Sequence, residues 1–113
     1  MHELSLAYSA IGEMQTILKK EGANKVNRIV FSVGALSGVD QEAFLFCFPL
    51  AAEGTPMEGV PLTMEDACLN LYCNSCNYEF INPEPIVICS KCQGVDVKVL
   101  SGQDFRIKEM EVE

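Results

Sequence analysis

The chain has 113 residues, 49% of them apolar and 21% charged, which suits one modest core with a small satellite and excludes two full-sized domains. Sixteen acidic residues against eight basic ones give a formal charge of −8, which argues against a phosphate-backbone binder and for a protein that meets cations or basic partners. No run reaches the roughly twenty apolar residues of a membrane span, and Met1-His2-Glu3-Leu4-Ser5-Leu6 lacks the basic and apolar segments of a secretory leader, so a reducing, cytoplasmic location is expected.

Leu4, Ala7, Tyr8, Ile11, Met14 and Leu18 recur at three- and four-residue steps and predict an amphipathic helix from about Glu3 to Glu21, stopped by Gly22. Val26 to Val33 alternates and reads as a strand, followed by a loop over Gly34 to Gly38. Asp40 is placed to cap a second helix, which runs apolar nearly all round from Gln41 to about Ala52. Pro49 is expected to kink or shorten it. Leu62 to Tyr72 reads as a second strand whose inward parity switches, as a bulge near Glu65 and Asp66 would cause. Ser101-Gly102 marks a boundary before a last strand, Phe105 to Val112, which carries a similar shift.

Between these strands lie Cys73-Asn-Ser-Cys76 and Cys89-Ser-Lys-Cys92. A pair of thiolates separated by two residues can address one ion from a tight knuckle, and two knuckles supply the four soft ligands of a tetrahedral zinc site. Free or redox thiols are the bland reading, but tandem pairs with Tyr78, Phe80 and the stretch Ile86 to Ile88 as a small apolar wall favour zinc. Such a closed site leaves no position for a substrate, so it is structural. Cys47 and Cys68 sit in apolar contexts and read as small buried hydrophobes.

These elements predict an α+β fold: a small three-stranded sheet with two helices, and a four-cysteine zinc-knuckle module inserted between the last two strands. Residues 1–72 together with 101–113 form the main domain in this reading, and residues 73–100 the module.

The single histidine, His2, is the second feature with chemical content. An exposed terminal residue is the ordinary expectation for it. However, a bulky second residue prevents removal of the initiator methionine, so the native amino terminus is expected to be Met1. Its α-amine, the intervening amide nitrogens and the imidazole of His2 can close five- and six-membered chelate rings, which favour Ni(II) or Cu(II) over zinc. Glu3 adds an oxygen donor within reach. No constellation points to catalysis: one histidine leaves no conventional triad, and HExxH, GxSxG and phosphate-cradling glycine loops are missing, so an enzyme is not expected.

The start Met1-His2-Glu3-Leu4-Ser5-Leu6-Ala7, the stretch Val33-Gly34-Ala35-Leu36-Ser37-Gly38-Val39, the turn Gly54-Thr55-Pro56, the two knuckles and Gly102 closely resemble the HypA/HybF family. The resemblance runs through essentially the whole chain. It departs at Ser90, where proline is frequent, and at Gln103-Asp104, where glutamate is usual; neither position is a ligand. It implies a nickel metallochaperone of [NiFe]-hydrogenase maturation, with urease a further recipient in some members. Nickel would be held at the amino terminus through His2, the amine of Met1 and nearby backbone nitrogens, with Glu3 and Asp40 also implicated, while zinc at Cys73, Cys76, Cys89 and Cys92 is structural. It further implies a HypB-type GTPase and the hydrogenase large subunit as partners, with self-association known in the family, while the charge and the lack of a long apolar run lead us to expect no nucleic acid and no membrane.

Two other functions compete. A zinc ribbon serving nucleic acid is disfavoured by charge, because residues 73–100 hold only Lys91 and Lys98 against Glu79, Glu84 and Asp96. A thiol oxidoreductase would need a reactive, low-pKa thiol, whereas metal-bound thiolates resist alkylation.

Overall fold

The computed structural model describes residues 2–113. Its elements are α1 (His2–Glu21), β1 (Val26–Gly34), α2 (Gln41–Ala52), β2 (Leu62–Ala67), β3 (Leu69–Cys73), β4 (Tyr78–Asn82), β5 (Val97–Ser101) and β6 (Phe105–Val112). They divide into two compact units. One comprises Met1–Phe31, Val39–Met64 and Ile107–Glu113; the other comprises Ser32–Gly38 and Glu65–Arg106. The α+β class, with two helices and a cysteine cluster, is as the sequence predicts, but there are two three-stranded sheets, ordered β2-β1-β6 and β4-β3-β5.

In the first unit, α1 buries Ala7, Ala10, Ile11, Met14 and Leu18. Tyr8, expected on that face, is 57% exposed. At about 3.6 residues per turn it falls roughly a quarter of a turn away from the line through Ala7, Ile11, Met14 and Leu18. The helix stops where expected, and the hydrogen bonds show why. Gly22 adopts φ +64° and donates to the Lys19 carbonyl at 3.3 Å, while Ala23 donates to Leu18 at 3.0 Å. That pair of bonds is a left-handed C-terminal cap, which favours glycine because it has no Cβ.

Helix α2 packs against α1. It is capped by Asp40, whose carboxylate accepts the Ala43 N–H at 3.2 Å. Pro49 does not end it: the helix continues to Ala52, and Pro49 sits on the exposed side. There the bond missing at the Leu45 carbonyl can be met by water, so the proline is tolerated. The inward side carries Phe44 and Phe48, whose rings lie 5.1 and 6.1 Å from that of Phe31 on β1.

Strand directions follow from individual hydrogen bonds. Ile29 donates to Pro61 and Ala35 to Ala67, a constant offset that makes β1 and β2 parallel, with α2 in the crossover between them. Lys25 exchanges bonds with Glu113, and Gly34 donates to Asp104, so β1 and β6 are antiparallel. Burial along β6 alternates up to Ile107 and resumes out of phase at Met110, matching the predicted shift.

The segment 62–72 is not one bulged strand. It breaks at Cys68 into β2 and β3, which belong to different sheets. The change of parity therefore marks a change of sheet. In the second unit, β3 pairs antiparallel with both β4 and β5. Leu69, Leu71, Cys73, Phe80 and Cys89 form its buried cluster, flanked by Tyr78, Val87, Val97 and Val99. Gly34 and Gly102 are needed here: a Cβ on Gly34 would fall 2.3 Å from the Gly102 carbonyl oxygen, and one on Gly102, at φ +105°, would lie 2.7 Å from that of Cys68.

Two phenylalanines of α2 give a direct check on this packing. Phe44→Ala is expected to cost about 3–5 kcal/mol, whereas Phe46→Ala, on the exposed side, is expected to change stability by no more than about 0.5 kcal/mol. Urea denaturation of the two variants measures the difference, and equal losses would contradict the orientation of α2.

Candidate metal centre

The sequence brings four thiols to one place by ending β3 at Cys73 and starting β4 at Tyr78, so the first knuckle is the turn between paired strands. The second knuckle precedes β5. Each is built alike. Cys76 donates its N–H to the Cys73 sulfur at 3.4 Å, and Cys92 does the same to Cys89. Lys91 adds a further N–H to Cys89 at 3.3 Å, and Gly94 one to Cys92 at 3.4 Å. The residue after each knuckle turns left-handed, Asn77 at φ 52° and Gln93 at φ 60°. Asn74 and Asp96 tie the knuckle to the start of β5 through a main-chain and a side-chain bond.

The four sulfurs lie within 4.8 Å of one another, the one such cluster among the described residues. Cys73 to Cys92 is 3.7 Å and Cys76 to Cys89 is 4.0 Å. A tetrahedral ion with bonds of about 2.3 Å to sulfur requires edges of about 3.8 Å. Cys73 and Cys89 are buried, Cys76 is partly so and Cys92 is exposed. The N–H groups of Cys92, first, and of Lys91 lower the Cys89 thiol to about 6, against the opposing effect of desolvation. The hydrogen bond with the Cys92 side chain, then desolvation, pushes Cys76 up to about 12. Without a cation the group therefore cannot ionise fully, and a soft dication fits both the spacing and the charge.

The other predicted ligands are arranged differently. Met1 lies outside the described residues. His2 opens α1 with a side chain 63% exposed, and its Nδ1 is 3.7 Å from Glu3 Oε2. The same Glu3 oxygen accepts the Asp40 N–H at 3.2 Å. That bond, followed by the one from its own N–H, holds the Glu3 carboxyl below its usual range. The Asp40 carboxylate caps α2, so Asp40 meets this corner through its backbone. His2, Glu3 and Asp40 are thus neighbours, but their side chains do not converge as the cysteines do.

Cys47 is buried as expected, while Cys68 is exposed at the break between β2 and β3. Sequence reasoning did not single out the residues that shape the knuckles. Asn77 carried a usable signal, since asparagine tolerates positive φ; Gln93 carried none. Lys91, placed 4.8 Å over the Tyr78 ring, was counted only as a charge.

The sequence profile of the family described as hydrogenase/urease nickel incorporation metallochaperone, HypA, matches residues 1–112. The chain belongs to the HypA family. Similar HypA proteins include hydrogenase maturation factor HypA of Chlorobium limicola, 34% identical over all of this chain and 97% of that one. That of Aeromonas hydrophila is 35% identical over 99% of each. Among solved structures, the nickel metallochaperone HypA from Helicobacter pylori superposes with a TM-score of 0.71 at 26% identity, covering 97% of this chain and 96% of that one. Another HypA solution structure gives 0.72 at 27% identity, covering 100% and 97%. HypA-family nickel metallochaperones act in hydrogenase maturation, and this chain carries their fold and a four-cysteine metal-binding cluster.

If a metal organises the cluster, Cys76→Ala should remove one equivalent of bound ion and melt β3, β4 and β5 while α1 and α2 persist. Metal analysis with amide NMR reads both effects. Unchanged metal content and unchanged β3–β5 resonances would refute it.

Proposed function

We propose that this chain carries Ni(II) at its amino-terminal end and passes it on during maturation of [NiFe]-hydrogenase, with urease a second recipient. The supporting observation is the exposed imidazole of His2 beside the Glu3 carboxylate, on a chain of a nickel-incorporation family. Imidazole, α-amine and amide nitrogens suit Ni(II), and an exposed terminal site can release its cargo without local unfolding. The amine of Met1 completes the chelate in this reading, Glu3 offers an oxygen, and Asp40 holds Glu3 in place by its N–H. In the other unit, Cys73, Cys76, Cys89 and Cys92 hold zinc, whose closed coordination supplies folding energy and takes no part in transfer. A HypB-type GTPase and the hydrogenase large subunit are the proposed partners in a cytoplasmic relay without a catalytic step.

Calorimetric nickel titration of the untagged protein tests the site. His2→Ala, and separately a version with extra residues before Met1, should each abolish the first-site affinity. Asp40→Ala should weaken it less, while costing about 1 kcal/mol of stability through the lost cap. Retention of tight nickel binding by both His2→Ala and the extended chain would move the site elsewhere.

Proton competition gives a second check. Protons compete with nickel for nitrogen ligands, so affinity at a site of this kind should fall as pH falls from neutral to mildly acidic. Glu3, whose carboxyl is held below its usual range, stays ionised there and does not contribute to the loss. Affinity independent of pH over that interval would contradict a His2-centred site.

A further inference from the structure

The outward side of α2 is unlike the surface of an ordinary amphipathic helix. Phe46 is 74% exposed, Leu50 56% and Leu45 43%, and exposed Pro49 lies between them. Steps of three and four residues put these four on one side of the helix, with Glu42 one turn before Phe46 and Glu53 about one turn after Pro49 and Leu50. The face is therefore apolar in its middle and acidic at both ends. Exposed apolar patches of this kind mark interaction sites, and aromatic side chains are enriched where proteins meet.

The charge of the segment that carries α2 says what fits. Residues 39–64, all in the same unit as the helix, contain four carboxylates and no Lys or Arg. The last turn of α2 has no basic residue, and Glu53 occupies its C-cap, so the negative end of the helix dipole is left without a cation of its own helix. A second copy of the chain would set Glu42 and Glu53 against their own kind, and an anionic lipid surface would be repelled in the same way. An apolar segment bearing Lys or Arg at its ends meets both demands.

We propose that the outer face of α2 is a docking surface for an apolar segment of a partner protein with basic residues at its ends. The face starts beside the corner where Asp40 holds Glu3, so a docked partner lies along the helix whose N-cap is bonded to the carboxylate beside His2. That the docked protein is the one exchanging nickel rests on the reading given above; the docking itself does not.

The test uses a fluorescent synthetic peptide with leucines at helical spacing and lysines at both ends, against its twin with glutamates at the ends. The lysine peptide should bind and shift the amide resonances of residues 42–53, and the glutamate twin should bind at least roughly tenfold more weakly. Phe46→Ser and Leu50→Ser should each reduce lysine-peptide affinity by at least about tenfold, and the pair Glu42→Gln with Glu53→Gln should reduce both the affinity and its salt dependence. Nickel calorimetry on the same proteins separates the two claims. Phe46→Ser should bind nickel normally, and His2→Ala should bind the peptide normally, whatever becomes of the nickel site. Failure of the lysine peptide to bind, equal binding of both peptides, or undiminished binding by Phe46→Ser would overturn the proposal. So would a dimer that Phe46→Ser abolishes, or preferential binding to phosphatidylglycerol vesicles.

Discussion

Four cysteine sulfurs within 4.8 Å of one another can be thiolates together only if a cation cancels their charge. The knuckles meet this constraint with N–H donors to Cys73, Cys89 and Cys92, which offset part of the charge and leave the rest for the ion. The buried cluster around them holds Leu69, Leu71 and Phe80 beside the two buried cysteines. So small a cluster gains much of its order from what the sulfurs hold. The strands depend on the same point: β3 terminates at Cys73, and β4 begins two residues after Cys76.

A site that closes on its ion is suited to keeping it. Carriage and release call for the opposite arrangement, which we propose for the corner formed by His2, Glu3 and the N-cap of α2. One ligand candidate is exposed, one is fixed by the Asp40 N–H, and the first turn of α1 supplies backbone nitrogens that the helix does not use. The division of labour we propose follows from this contrast in exposure and ligand softness.

Much of this was legible in the sequence because the signals were local. The knuckle spacing identified the four sulfurs, Gly22 after two lysines marked the end of α1, and Asp40 was recognisable as a cap. Local patterns failed where tertiary context decides. The change of parity near residue 66 looked like a bulge and proved to be a chain leaving one sheet for another, since periodicity records which residues are buried and not against what. Tyr8 fits a helical stripe by spacing but lies at its edge. Helix α2 is apolar all round, so no pattern could tell Phe44, which is buried, from Phe46, which is not. Pro49 was expected to kink or shorten α2 because the sequence does not reveal that its side of the helix faces solvent.

The central claim is that two metals occupy two chemically different places. X-ray absorption at the nickel and zinc edges of the protein loaded with both metals tests it directly. The account predicts nickel surrounded by nitrogen and oxygen with imidazole scattering, and zinc surrounded by four sulfurs. Sulfur scattering at the nickel edge would place nickel in the cysteine cluster and contradict it.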